Sequence, residues 1–263
     1  MRLWLVTALL LITLPAAGAK AVTFAPATGS PLTTGTEPVG LALADVNDDG
    51  KLDLLTAEKT ANAVSVFIGR GDGRFMAPKS IPVPGGPSGV AVGDFNSDGQ
   101  ADFVVSDATA NKISLRIADG QGGYTAPADL TASGSTPTDI IVARLNPGTA
   151  EDFVATDANS SNNLTLGLGA GTGAFTVSAI TAGAVPNTVT SGDFNDDGIP
   201  DLGVANSSGA SNISVKLGDG DGTFTSAPSF ASGGVSASGI VATDLDGDGR
   251  ADLAISNATS GTV

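Results

Sequence analysis

The sequence predicts an all-β chain built from repeated four-stranded antiparallel units, and three observations carry that prediction. A nine-residue window recurs as "DVNDDGKLD" from Asp45, "DFNSDGQAD" from Asp94, "DFNDDGIPD" from Asp193 and "DLDGDGRAD" from Asp244. A fifth window, "RLNPGTAED" from Arg144, keeps the register and loses most of the acids, so the starts are 49, 50, 49 and 51 residues apart. Short runs of apolar and small residues flank each window, and Gly-, Asn- and Asp-rich turns separate the runs.

Each unit reads as four strands in order. The first run precedes the window: "VGLALA", "SGVAVG", "TDIIVA", "NTVTSG" and "SGIVAT". The second follows it, as in "LDLLTAE" and "ADFVVSD". A third, such as "AVSVFIG" or "NISVKLG", enters a Gly/Asp turn, and the fourth opens on Phe75, Tyr124, Phe175 or Phe224. Runs of this length joined by such turns pair as hairpins. One such sheet cannot bury both faces by itself, so neighbouring units must stack. A period near fifty residues is long for a solenoid rung and fits radial stacking, hence a β-propeller with these sheets as blades. The Ala/Gly/Val-rich first strand suits the crowded centre, and the ring opening the fourth strand suits a packing anchor between sheets.

Composition narrows the function. Gly supplies 36 of the 263 residues and aromatics only 5%, so turns and small side chains do much of the structural work. The formal net charge of −15, with no basic patch, argues against nucleic acid as partner. The windows hold most of the 27 carboxylates, so the acidity is local. There is no Cys for disulfides or a lipidated leader.

Residues 1–19, "MRLWLVTALLLITLPAAGA", have the Arg, apolar run and small-x-small end of a signal peptide. Cleavage is expected after Ala19, with Ala21 as the alternative boundary. The apolar run is short for a bilayer span, so no transmembrane segment is expected after cleavage. Residues 20–263 are then the repeat region, secreted, at the cell surface or in the periplasm.

The windows themselves carry a ligand pattern. Carboxylate or amide oxygens at positions one, three, five and nine, with a backbone carbonyl at seven, can surround one hard cation, and Gly at six permits the turn. The donors are Asp45, Asn47, Asp49, the Lys51 carbonyl and Asp53 in loop 45–53. In loop 94–102 they are Asp94, Asn96, Asp98, the Gln100 carbonyl and Asp102. Loop 193–201 offers Asp193, Asn195, Asp197, the Ile199 carbonyl and Asp201, and loop 244–252 offers Asp244, Asp246, Asp248, the Arg250 carbonyl and Asp252. An all-oxygen set in a chain without His or Cys selects calcium over zinc or copper. An EF-hand needs a Glu at position twelve, where this chain has Thr56, Val105, Val204 and Ile255, all strand residues. Loop 144–152, with Arg144, Asn146, Gly148 and only Asp152 in place, is expected to bind no calcium; the Arg144 guanidinium could fill part of the ion's space.

The D-x-[DN]-x-D-G-x-x-D loop between two strands, with a "V-x-L-G-D-G-x-G-x-F"-like hairpin, resembles the FG-GAP/VCBS repeats of integrin α-subunit-like β-propellers. The resemblance runs from about Ala21 to Val263. It implies that each intact loop joins the first two strands of a blade and holds a structural calcium ion, about four in all. No window has the Phe-Gly before it or the Gly-Ala-Pro after it, so the chain looks closer to the bacterial VCBS variety. Seven blades are implied, against about five repeats here, so a truncated or incomplete ring is expected.

The function expected is a secreted or surface module that binds a protein or a glycan, stiffened by calcium. The alternative is a non-catalytic propeller part of a larger polysaccharide-active enzyme. A catalytic role finds no His or Cys as base or nucleophile. Outside the loops Asp107, Asp139 and Asp157 remain, of which Asp107 and Asp157 share one repeat position and read as turn residues. The rings fall in shared registers, as Phe95 does with Phe194 and Phe103 with Phe153, which points to packing rather than a sugar platform. Arg70-Gly71-Asp72 falls on a hairpin that every repeat has and reads as coincidence. The five Asn-x-Ser/Thr sequons follow from an Asn/Ser/Thr-rich composition.

Overall fold

The structure is a computed structural model that describes residues 29–159, 163–210 and 212–263. The leader expected at residues 1–19, and Phe24, lie outside the described residues. Strands make up all the regular structure described. In the first blade β1 (Pro38–Ala44), β2 (Asp53–Glu58), β3 (Ala63–Phe67) and β4 (Lys79–Pro82) pair in sequence order. The second has β5 (Pro87–Gly93), β6 (Asp102–Asp107) and β7 (Lys112–Ala118). Its outer edge is shared by β8 (Tyr124–Thr125) and β9 (Leu130–Thr131), which both pair with β7.

The third blade is β10 (Pro137–Ala143), β11 (Asp152–Asp157), β12 (Asn163–Gly169) and β13 (Phe175–Thr181). The fourth is β14 (Pro186–Gly192), β15 (Asp201–Asn206), β16 (Ile213–Gly218) and β17 (Phe224–Ser226). A fifth sheet has two strands, β18 (Ala237–Thr243) and β19 (Asp252–Asn257). All the pairings are antiparallel. Each first strand carries a register shift near its start, as between Pro38 and Gly40 or Pro186 and Thr188.

The core lies between blades. Leu55, Val64 and Val66 of the first blade pack on Val90, Phe103 and Val105 of the second. Ala91, Ile113 and Leu115 pack on Ile140, Phe153 and Ala155 of the third. Leu145, Val154 and Leu166 pack on Val189, Leu202 and Val204 of the fourth. The second strands β6, β11 and β15 are therefore buried along their whole length, on both faces. The ring opening the fourth strand anchors the packing in the second and third blades, as expected: Tyr124 stands edge-on to Phe103 at 4.8 Å, and Phe175 to Phe153 at 5.0 Å. In the first blade Phe75 precedes β4 rather than opening it and stands edge-on to Phe67 at 6.4 Å.

First strands of neighbouring blades touch along the centre. A Cβ on Gly40 would stand 2.8 Å from the Ser88 carbonyl oxygen, so the approach of β1 to β5 requires glycine there. Polar side chains pin the same strands from blade to blade. Ser88 Oγ donates to Pro137 O (2.8 Å), Thr138 Oγ1 to Asn187 O (3.4 Å) and Asn187 Nδ2 to Ser238 O (2.8 Å). Asp139 Oδ2 accepts from Val189 N (3.0 Å), which makes this half-buried acid part of the seam between the third and fourth blades. The ring is open. Leu41 and Leu43 are exposed on the first blade, as is Val241 on the fifth sheet.

Candidate metal loops

Every window forms the connection from a first strand to a second, as expected. The four intact loops share one backbone course. In loop 193–201 Asp193 Oδ2 accepts from Gly198 N (2.8 Å) and its Oδ1 from Asp197 N (3.2 Å). Asn195 Oδ1 also accepts from Asp197 N (3.1 Å), and Asp197 Oδ1 from Ile199 N (2.8 Å). The bonds recur at Asp45, Asn47 and Asp49. They recur again at Asp94, Asn96 and Asp98, and at Asp244, Asp246 and Asp248. These Asx turns need a left-handed residue at position four, where Asp48, Ser97, Asp196 and Gly247 have φ of 56°, 60°, 63° and 81°. Gly198 at position six has φ of 80°.

Position nine behaves differently. Asp53, Asp102 and Asp201 are wholly buried. Asp201 Oδ2 accepts from Phe194 N (2.9 Å) and Oδ1 from Gly218 N (2.8 Å) at the end of β16. Asp53 takes Val46 N and Gly69 N, and Asp102 takes Phe95 N and Ala118 N, in the same way. The ninth carboxylate thus ties the loop to the far end of the third strand. Burial, more than the nearby Asp98 and Asp94 charges, pushes Asp102 up to about 6, against the amides that favour its anion. On the open part of the loop the balance reverses, and the Gly198 amide holds Asp193 below the usual carboxylate range.

The donor set fits a hard divalent cation. One oxygen each of Asp244, Asp246 and Asp252 lie within 4.8 Å of one another, the span that calcium bound at about 2.4 Å from each can bridge. In the other three loops the third residue is Asn, and in two of them its amide takes up an acid. Asn96 Nδ2 donates to Asp98 Oδ2 (2.9 Å) and Asn195 Nδ2 to Asp197 Oδ2 (2.8 Å). In loop 45–53 Lys51 Nζ pairs with Asp49 (3.0 Å), and that bond holds the Asp49 carboxyl below its usual range. At position seven Lys51, Ile199 and Arg250 have only their backbone carbonyls to lend, and Gln100 has its carbonyl or its amide oxygen. The side chains of Lys51 and Gln100 donate to Asp49 and Asp98 of their own loops, whereas Arg250 Nε reaches Asp196 Oδ2 in the neighbouring loop (2.7 Å).

Loop 144–152 keeps the frame without the donors. Asp152 Oδ2 accepts from Leu145 N (2.8 Å) and Oδ1 from Gly169 N (2.8 Å), as Asp201 does in the next blade. Asn146 Nδ2 adds a bond to Asp152 Oδ1 (3.2 Å). Arg144 is exposed, so it is the Asn146 amide, rather than the guanidinium, that lies against the ninth carboxylate. Glu151 turns to the preceding blade, where Oε2 accepts from Asp94 N (2.9 Å).

Two acids differ from their sequence reading. Asp107 and Asp157 end β6 and β11 and are fully buried, so they are not turn residues. Asp107 Oδ2 accepts from Ser114 Oγ, and burial pushes Asp107 up to about 7. Asp157 Oδ2 accepts from Thr165 Oγ1 (2.9 Å), and burial pushes it up to about 6. Glu58, Asn206 and Asn257 hold the same repeat position, so each second strand ends on a buried polar group. The invariant offset from the window was the signal for this row.

The FG-GAP-like repeat family model matches residues 45–105 and 193–255, which include all four intact loops. No curated protein sequence matches the chain. Solved structures match the fold. A chain of the crystal structure of BBS1N in complex with ARL6DN, soaked with lead, aligns at 12% identity with TM-score 0.57, over 85% of this chain and 63% of that one. A functionally unknown protein from Desulfotomaculum acetoxidans DSM 771 aligns at 16% identity and TM-score 0.55, over 75% and 57%. Hydrazine synthase from Kuenenia stuttgartiensis aligns at 13% and 0.55, over 85% and 55%. The chain therefore spans less than two thirds of the length of these structures.

Proposed function

We propose that this chain, which carries FG-GAP-like repeats in a β-propeller fold, is a secreted or cell-surface binding module whose blades are stiffened by calcium. The observation that carries the reading is the recurrence of one loop geometry at four places, with acids gathered along one rim of the blades. FG-GAP repeats are generally calcium-binding, and such repeat proteins are often extracellular. Without a cation, several carboxylates per loop repel one another, and each bound ion relieves that repulsion. Extracellular calcium modules work with dissociation constants of about 10⁻⁴ to 10⁻³ M, so these sites suit ambient calcium rather than signalling.

Asp45, Asn47, Asp49 and Asp53 would hold one ion with the Lys51 carbonyl, and the other three loops repeat the set. The ion supplies charge neutralisation and fixes the loop course. The ninth aspartate couples that course to the third strand. A protein or glycan partner is the ligand class proposed, and the chain is read as non-catalytic. Among the described residues no helix is long and apolar enough to cross a membrane.

The test is to immobilise the calcium-loaded chain and screen it against arrays of extracellular glycans and matrix proteins, with and without chelator. Saturable capture that weakens in chelator is expected. Turnover of a polysaccharide by the isolated chain contradicts the non-catalytic reading, and an absence of capture on both arrays contradicts the binding reading.

A further inference from the structure

We propose that the groove between the third and fourth blades binds a small hydroxylated carboxylate, with Lys216 as its anion anchor. The groove, about 350 Å³, lies between β13 and the β16–β17 hairpin. Leu166, Ile180 and Phe224 give it an apolar wall, and Thr223 and Ser226 add hydroxyls. That volume is at the small end of ligand sites and suits a six-carbon acid. Lys216 stands opposite Ser226 in the strand register, so both side chains project from the same face.

Lys216 is only 7% exposed. Its Nζ donates to Ser226 Oγ (2.8 Å), the one acceptor that the described residues supply. No described carboxylate lies within ion-pair distance of it, and burial alone lowers its pKa. The second blade shows how such a cation is otherwise satisfied. Arg116 occupies the equivalent place, facing Phe103 as Lys216 faces Leu202. Its Nη2 donates to Pro82 O of the preceding blade (2.8 Å) and its Nη1 to Leu115 O (2.8 Å). Lys216 has two N–H groups left over and lines the groove.

A buried ammonium without a counter-charge is costly, and an anionic ligand removes that cost. The acids of the same hairpin, Asp219 and Asp221, take the Thr223 hydroxyl (3.2 and 2.6 Å) and are not among the groups within ion-pair distance of Lys216. Hydroxyl groups beside an ammonium and an apolar wall match an acid that also carries hydroxyls. The site rests on the reading of the chain as a binding module and specifies one ligand class for it.

The experiment is saturation-transfer NMR on the calcium-loaded full chain, with glucuronate as probe and glucose as its neutral control. Saturable glucuronate binding is expected, with about tenfold weaker binding of glucose and of glucuronate to Lys216→Met. Lys216→Arg is expected to retain binding. Should Lys216→Met fail to fold, acetylation of wild-type Lys216 read by mass spectrometry replaces it, and glucuronate is expected to protect that amine. Equal binding of glucose, undiminished binding to folded Lys216→Met, or an unprotected amine overturns the site. Capture of another partner on the arrays with no saturable glucuronate signal overturns this site and leaves the module reading standing.

Discussion

Loops 193–201 and 144–152 occupy the same place in adjacent blades, share Asn at position three and Asp at position nine, and differ at donor positions one and five. In the fourth blade Asp193, Asn195 and Asp197 gather the backbone amides of the turn and face outward. In the third, Arg144, Asn146 and Gly148 stand at those places, and the acidic cluster is gone. Yet the ninth carboxylates have matching surroundings. Asp201 receives its two amides at 2.9 and 2.8 Å, and Asp152 receives the equivalent two at 2.8 Å each. The frame of the loop and its cation chemistry are therefore separable, and the ninth aspartate belongs first to the frame.

The comparison breaks most readily at Asp152. Asp152→Ala leaves the amides of Leu145, Gly169 and Asn146 without their acceptor, and a loss of about 3 kcal/mol is expected. Urea denaturation should show the same loss in chelator and in millimolar calcium, because no ion is involved. A loss present only in calcium contradicts the structural role. Next in size is Asp193→Ala, which removes a donor and leaves the buried clamp intact. Bound calcium should drop by one ion per chain, with the blade still folded by circular dichroism.

Replacing 144–152 by "DFNDDGIPD" runs the comparison in reverse. The third blade already supplies the buried clamp, so the graft should add one ion per chain in equilibrium dialysis. The smallest effect expected is on pH dependence. Asp157 closes β11 where Asn206 closes β15, so of these two blades only the third carries a carboxyl at that place. Burial raises Asp157 to about 6 in the fold. Its contribution to stability is complete below the ordinary carboxylate pKa and is lost as pH rises through about 6. Asp157→Asn should flatten that fall between pH 4 and 7 in urea midpoints measured in chelator. An unchanged slope contradicts the buried assignment.

The blades were legible in the sequence because their signals are local and repeated. Alternating small and apolar residues, Gly turns and the ring at Phe75, Tyr124, Phe175 and Phe224 fix strand order without distant information. The place of each window between a first and a second strand was legible for the same reason. The second duty of Asp53, Asp102, Asp152 and Asp201 was not, because its amide partners lie on the third strand, 16 or 17 residues onward. Asp107 and Asp157 were read as turn residues because Asp is common in turns; the structure buries them against hydroxyls of the next strand. Lys216 sits in a strand of ordinary pattern, and only the packing of one blade on another shows that its ammonium has no carboxylate partner among the described residues.

Calcium stoichiometry tests the separation of frame from site most directly. Equilibrium dialysis of the whole chain, followed by metal analysis, should give four ions for the natural sequence and five for the chain carrying the grafted third loop. The thermal midpoint should rise from chelator to millimolar calcium in both. No bound calcium, or an unchanged midpoint, contradicts the calcium reading; five ions in the natural chain contradict the assignment of loop 144–152 as frame alone.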